Sequence, residues 1–326
     1  MTKRIKKGVW LHFIASLAGK RGIDDFVDRY ADAGFDLLIP CVKNVDGLLD
    51  YHSKIGFVRD EFKTWDPLEH LTRRANHRGI KVHAWFCNNP EGPKGKLLSE
   101  HPEYAAMTPE GEKAKCHSGF FTCLARPQVI DYAHSIMAEV AQNYGVDGIH
   151  LDYIRTGEHA CFCKICRTEF KKRMGIDISG AKWSHFADPR WYNWRIANVT
   201  RLVSRISSTC RKKKKELSAA VYNDYPASMY TQSQDFPMWS EKGYLDLAVP
   251  MNYTPDSAMM MSYARNHAAN MRGKAELWEG LGYFMLKKIG KLTEQISLLK
   301  DFGVKGVCLF EHHNISDSDL RALSKT

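Results

Sequence analysis

The stretch GVDGIHLDYIRTGEHACFCKIC, residues 145 to 166, places two kinds of chemistry side by side. Asp152 closes an apolar run, and Cys161, Cys163 and Cys166 follow it in a C-x-C-x2-C pattern. A carboxyl group at the end of a strand can hold or pass a proton, whereas three thiolates within six residues can wrap a tetrahedral ion. The fourth ligand of such an ion must come from elsewhere in the chain, and Cys123 and Cys116 are the candidates. A site closed by four thiolates has no position left for water, so it braces a loop and does not activate a nucleophile. On this reading the cysteines support and the carboxylate acts.

The elements that position these groups can be read from the punctuation of the chain. Short apolar segments recur at 8–13, 35–42, 80–87, 147–154, 217–224, 245–253, 275–284 and 304–312. Amphipathic helical stretches lie between them, several ending in glycine as a helix stop. Continuous apolar strands alternating with helices imply a parallel sheet covered on both faces. Eight repeats in 326 residues favour a (β/α)8 TIM barrel, read as one domain over 1–326. Neither GxGxxG nor GxxxxGK[ST] follows any strand, which argues against an open nucleotide-binding sheet. Insertions are expected after strand 3, at about 88–122, and after strand 4, at about 155–190. Trp183, Trp191 and Trp194, near the second insertion, read as residues that pack a helix.

Barrel enzymes collect their sites at the C-terminal ends of the strands, which shortens the list of candidates. Those ends offer His12, Phe13, Lys43, Asn44, His83, Trp85, Asn88, Asp152, Tyr153, Arg155, Tyr222, Asn223, Asp224, Asn252, Tyr253, Trp278, Glu279, Glu311, His312 and His313. Acids for proton transfer, amides and cations for hydroxyls, and flat rings for pyranose faces are what a sugar site requires.

Composition bounds the alternatives. Lys and Arg outnumber Asp and Glu by 47 to 37, a net charge of +10. The densest basic run, CRKKKKEL at 210–217, reads as a solvated helix end, and no zinc-finger array or aromatic RNP motif accompanies it, so no nucleic-acid partner is expected. The positive charge would suit a uronic or sulfated sugar. No window approaches 18 uninterrupted apolar residues and no convincing leader is present, so no membrane span is expected and a cytoplasmic location is the reading. Nine irregularly spaced cysteines do not resemble a secreted disulfide framework. A zinc deaminase, another metal-using class, would need H-x-E followed by P-C-x-x-C, which is missing.

GVWLHF, VHAWFCNN, GVDGIHLDYIR, LAVPMNYT and EGLGYF resemble the glycoside-hydrolase-like barrels of the GHL10 type across nearly the whole chain. Members of that group usually carry a second aspartate where this chain has Tyr153. The resemblance implies a glycoside hydrolase acting on an oligo- or polysaccharide, with Asp152 as general acid/base. By similarity to the large barrel-glycosidase clan, whose second carboxylate lies on strand seven, Glu279 is the expected partner and Glu311 the runner-up. Of the other strand-end residues, His12, His83, Trp85, Asn88, Tyr153, Arg155, Tyr222, Asn223, Asn252, Tyr253 and Trp278 are then expected to bind substrate. A non-catalytic carbohydrate-binding barrel is the alternative. The chitinase pattern DGxDxDxE is not met, because His150 and Ile154 stand at two of its acidic positions. The cysteine triplet, nine residues after Asp152, is similar to the zinc cluster of family 42 β-galactosidases. That similarity implies structural Zn2+ held by Cys123, Cys161, Cys163 and Cys166.

Overall fold

The computed structural model describes residues 4–157, 160–178 and 188–326; Trp183 lies outside them. Eight strands close a barrel: β1 Lys6–Leu11, β2 Leu37–Lys43, β3 Lys81–Cys87, β4 Gly148–Asp152, β5 Glu216–Val221, β6 Leu247–Pro250, β7 Glu276–Gly282 and β8 Gly306–Phe310. Every pairing in the ring is parallel, and β1 pairs with both β2 and β8, leaving the barrel no free edge. Each of the eight segments expected from the sequence overlaps one of these strands, although β1 and β5 begin before their segments and β2 ends one residue after its own. Glycines stop the helices that lead into them: Gly79 after Pro67–His77 and Gly303 after Ile289–Phe302 adopt φ of +68° and +97°, a region that side-chain-bearing residues seldom occupy.

Period-two alternation sorts the strand residues into two cores. Val9, Leu38, Val82, Ile149, Leu151, Ala219, Leu281 and Val307 face outward and bury against the helices. Trp10, Ile39, Trp85, Ala220, Val249, Trp278 and Cys308 face inward and fill the barrel.

The inner core also holds a column of polar groups. Trp10 Nε1 donates to His150 Nε2 at 3.0 Å, His150 Nδ1 meets Ser218 Oγ at 2.8 Å, and the same oxygen lies 2.8 Å from His83 Nδ1. His83 Nε2 then reaches the Glu216 carboxylate at 3.1 Å, at the N-terminal end of the barrel. An indole N–H can only donate, so His150 accepts at Nε2, and its neutral ring carries the proton at Nδ1 towards Ser218. Burial keeps that ring neutral, holding the His150 pKa well below the usual histidine range.

Both expected insertions carry structure. The first contains the helix Lys96–Glu100 and a three-stranded antiparallel sheet of Pro90–Glu91, Lys115–Cys116 and Gly119–Phe121. The second contains the helix Lys164–Met174, whose Phe170 packs with Phe162, Trp191, Trp194 and the cysteines in a separate apolar cluster. The tryptophans of the WYNW segment are thus packing residues: Trp191 and Trp194 stack at 5.4 Å in the first turns of the helix Pro189–Lys212. The lysine run ends that helix, with Arg211 to Lys214 exposed.

Candidate active site

A cavity of about 420 Å³ opens at the C-terminal ends of the strands. Its polar wall comes from β4 and the turn beyond it. Asp152 faces inward by the same parity as His150, and its carboxylate Oδ1 accepts the Tyr153 amide at 2.6 Å. Tyr153 has φ +48°, a left-handed conformation unfavourable for a bulky residue, and its ring lines the cavity. The Tyr153 hydroxyl pairs with His117 Nε2 at 2.7 Å, and the Arg155 guanidinium lies 4.2 Å from the Tyr153 ring and 5.0 Å from that of Tyr222. The apolar wall is made by Trp10, Phe13, Trp85, Met251, Tyr253 and Phe310. Tyr253 stacks on Phe310 at 5.6 Å and His12 on Trp85 at 5.5 Å. The indole N–H of Trp85 is buried and bears on the Asp152 carboxyl group, whose pKa it helps to hold down.

Asp152 is only 7% exposed, and burial raises its carboxyl pKa, opposed by the charge of Arg155 and the amide of Tyr153. Among the described residues it has no ion-pair partner within 4.0 Å. Across the ring, Glu311 follows β8 and sits beside cavity-lining His12, its Oε2 3.6 Å from His12 Nδ1. Burial raises the Glu311 pKa too. Strands 4 and 8 are diametrically opposed in an eight-stranded ring, and the charges of Asp152 and Glu311 both bear on the Tyr253 hydroxyl between them, whose pKa burial holds far above the usual range.

The structure overturns the expected pairing of Asp152 with Glu279. Trp278, Gly280 and Gly282 carry the inward parity of β7, so Glu279 faces the helix layer and is fully buried there. His267 Nδ1 lies 3.0 Å and 3.2 Å from its two oxygens, and Asn252 Nδ2 donates to it at 3.0 Å. The strand turns glycines to the cavity because rings need the space: a Cβ on Gly280 would lie 3.0 Å from Trp10 and one on Gly282 3.1 Å from Tyr253.

Several expected sugar contacts are likewise placed elsewhere. His83 belongs to the polar column, and Trp278 fills the opposite end of the barrel, within 2.5 Å of where a Cβ on Gly306 would lie. Asn88 turns its amide to the carbonyls of Phe86 and Asp152, tying the tips of β3 and β4 together. Asn252 also donates to the Met260 carbonyl, and the Asn223 carbonyl is met by His267 Nε2 at 2.6 Å. Tyr222 touches the site only through Arg155. Of the expected residues, His12, Trp85, Asp152, Tyr153, Arg155 and Tyr253 line the cavity.

Phe13 and Asn44, also offered by the strand ends, line it too; Trp10, His117, Met251 and Phe310 do so without having been singled out. For Trp10 and Phe310 the signal was available, since both share the inward parity of their strands. For His117 there was none, because a hairpin inside the insertion delivers it.

The cysteines form a second centre behind this wall. Cys123, Cys161, Cys163 and Cys166 are buried, unbridged and clustered so that their sulfurs lie within 4.8 Å of one another. Cys123 Sγ is 3.4 Å from Cys166 Sγ and 3.6 Å from Cys163 Sγ. The amides of Met107 and Cys163 point at Cys161 Sγ at 3.3 Å and 3.5 Å, contacts that suit a thiolate. Cys116 is apart from this group, in the insertion sheet, where burial pushes its thiol pKa up to about 11. The group can hold a metal ion, and it fastens Cys123, ahead of the helix Pro127–Asn143, to the segment after β4.

A closed parallel barrel with a buried carboxyl group in an aromatic cavity at its C-terminal face defines a glycoside-hydrolase-type barrel. Residues 6–279 match the family Glycosyl hydrolase-like 10, and the chain belongs to that family. It is 28% identical over 225 residues to proteins named Glycosyl hydrolase DigH from Escherichia coli, a match covering 61% of this chain and 48% of theirs. The chain therefore spans about half the length of the curated relatives it matches. The PgaB (BpsB) glycoside hydrolase domain from Bordetella bronchiseptica shares the fold with a TM-score of 0.74 at 14% identity, covering 98% of both chains. A β-galactosidase from Bacillus circulans sp. alkalophilus shares it with a TM-score of 0.69 at 14% identity, covering 99% of this chain and 55% of that one. Among the described residues no helix is long and apolar enough to cross a membrane.

Proposed function

We propose that the protein hydrolyses a glycosidic bond of an oligo- or polysaccharide, with Asp152 as general acid/base and Glu311 as the opposing carboxylate. The observation that carries this reading is the state of Asp152: it is buried at the tip of β4, faces an aromatic cavity, and has a raised pKa without an ion-pair partner. A carboxyl group that keeps its proton above the ordinary range can give it to a leaving oxygen. Glu311, at the facing strand end, supplies the charge that an oxocarbenium-like transition state needs on its other side. The faces of Trp85 and Tyr253 hold a pyranose ring; His12 and Tyr153 meet its hydroxyls. Arg155, held over two rings and in no ion pair among the described residues, offers a cation to an acidic substituent.

The four cysteines, in this reading, hold a structural zinc ion. The sulfur separations of 3.4 Å and 3.6 Å approach the edge of a Zn–thiolate tetrahedron, about 3.8 Å for a Zn–S bond near 2.3 Å. Bound there, zinc supplies a cross-link between two loops and no reacting group. Cys123 and the triplet position the wall behind Asp152; they exchange no proton with the substrate.

Reducing-sugar release from a polysaccharide panel, run beside Asp152→Asn, tests the assignment. The wild type should release sugar and the variant should bind without releasing it. A wild type that binds saccharide and cleaves none of the panel would identify the carbohydrate-binding barrel instead.

A further inference from the structure

Just past β8, a group of side chains remains that the hydrolase reading does not use as a group. Glu311, His312 and His313 lead into the short 3-10 turn His312–Asn314, and one donor atom from each lies within 4.8 Å of the other two. The rings of His312 and His313 have centroids 3.7 Å apart. His12, from the end of β1, brings Nδ1 to 3.6 Å from Glu311 Oε2. Three imidazoles and one carboxylate therefore converge beside the cavity.

Two of these donors are buried and unanswered. Glu311 Oε2 and His312 Nδ1 have no hydrogen-bond partner among the described residues, and His312 is only 8% exposed. A buried lone pair without a donor is costly and rare, so two within one cluster point to a ligand that supplies positive charge. The outer support is present as well: Ser16 Oγ lies 3.4 Å from His312 Nε2 and, by taking that N–H, leaves Nδ1 free to coordinate. His313 is exposed, which gives an ion a way in.

We infer that Glu311, His312 and His313, beside His12, form a second metal site that takes one divalent transition ion of the Zn2+, Co2+ or Ni2+ class. Imidazole and carboxylate donors select such ions over Ca2+ or Mg2+, which prefer all-oxygen shells. The site differs in ligand chemistry from the four thiolates and is open where they are closed. An ion held there engages the Glu311 carboxylate, so it would compete with the role proposed above for that residue.

Protein carrying zinc at its thiolates is titrated with Co2+, followed by visible absorption and equilibrium dialysis. One further equivalent per chain should bind, with the weak d–d bands of nitrogen and oxygen ligation and without the strong near-ultraviolet thiolate charge transfer. His313→Ala, at an exposed position that leaves the core intact, should weaken this binding at least 10-fold, as should Glu311→Gln. Absence of a second equivalent at millimolar Co2+, or variants that titrate like the wild type, overturns the site. The readout is metal and not sugar release, so failure here leaves the hydrolase reading standing, and an inactive enzyme leaves this site standing.

Discussion

Asp152 and Glu279 are both buried carboxyl groups on barrel strands, and their surroundings give them opposite characters. Glu279 has no exposure and is answered by His267 and Asn252; Asp152 has 7% exposure, faces a cavity and lacks an ion-pair partner. The first arrangement satisfies a charge and holds the helix Ser257–Asn270 against β7. The second leaves a carboxyl group, its pKa raised by burial, facing a cavity. Residue type alone does not separate the two, although Asp152 ends β4 and Glu279 lies at the middle of β7. Side-chain parity and the presence of a paired cation do.

The contrast can be broken most sharply at Asp152. Asp152→Asn should lower turnover by roughly 100- to 10,000-fold, the range ascribed to a positioned acid/base, while leaving a folded protein. Thermal melting should show the variant at least as stable as the wild type at neutral pH. The sign follows from linkage: the folded pKa lies above the unfolded value, so the native state holds the proton longer and stability falls as pH rises from the unfolded pKa through the folded one. The melting advantage of the variant should therefore vanish at acidic pH. A variant that melts lower at every pH would remove the difference in character between the two acids.

On the other side, His267→Ala leaves Glu279 buried and uncompensated, with an expected loss of about 3–5 kcal/mol in denaturant unfolding. Turnover per folded molecule should stay near that of the wild type. The pair carries its own pH signature. Although burial opposes it, Glu279 raises the His267 pKa above its usual value, so the stabilisation is complete below the unfolded histidine pKa and fades as pH rises through the folded one. A stability curve for His267→Gln that parallels the wild type through this window would argue against a charged pair.

Removing metal should act on the loop and not on the chemistry. Chelation or Cys166→Ser should lower the melting temperature and release one equivalent of zinc, with activity per folded molecule little changed. The smallest effect is expected at the far end of the barrel. His83 first, with Lys81, depresses the Glu216 pKa to about 2, so its contribution is present above the unfolded carboxylate pKa and lost as pH falls towards that value. Because the side chain is 43% exposed, Glu216→Gln should flatten the acid limb of the stability curve by less than about 1 kcal/mol.

Much of the barrel was legible because strand and helix periods differ and glycine marks where one gives way to the other. The cysteine cluster was legible because C-x-C-x2-C is a local pattern, and the ambiguity over Cys116 closed only when the insertion sheet drew that residue away. The orientation of Glu279 was misread for a definable reason. In LWEGLG the acid is flanked by residues that could face either way, and inward parity belongs to Trp278, Gly280 and Gly282 because Trp10 and Tyr253 occupy the space a side chain would need. That exclusion arises from β1 and from the segment after β6, and cannot be read along β7 alone. His83 misled similarly: it has the inward parity of Trp85 but lies one layer lower, in the column rather than the cavity.

The column bears on the cavity from beneath. Trp10 donates down to His150, and the contacts continue through Ser218 and His83 to Glu216 at the opposite mouth. An indole cannot accept, so the sense is fixed as far as His150, whose Nδ1 proton points at Ser218 Oγ. Trp10, part of the apolar wall of the cavity, is thus moored to the far rim of the barrel. A change at that distant mouth can tilt the floor of the cavity without touching anything that lines it.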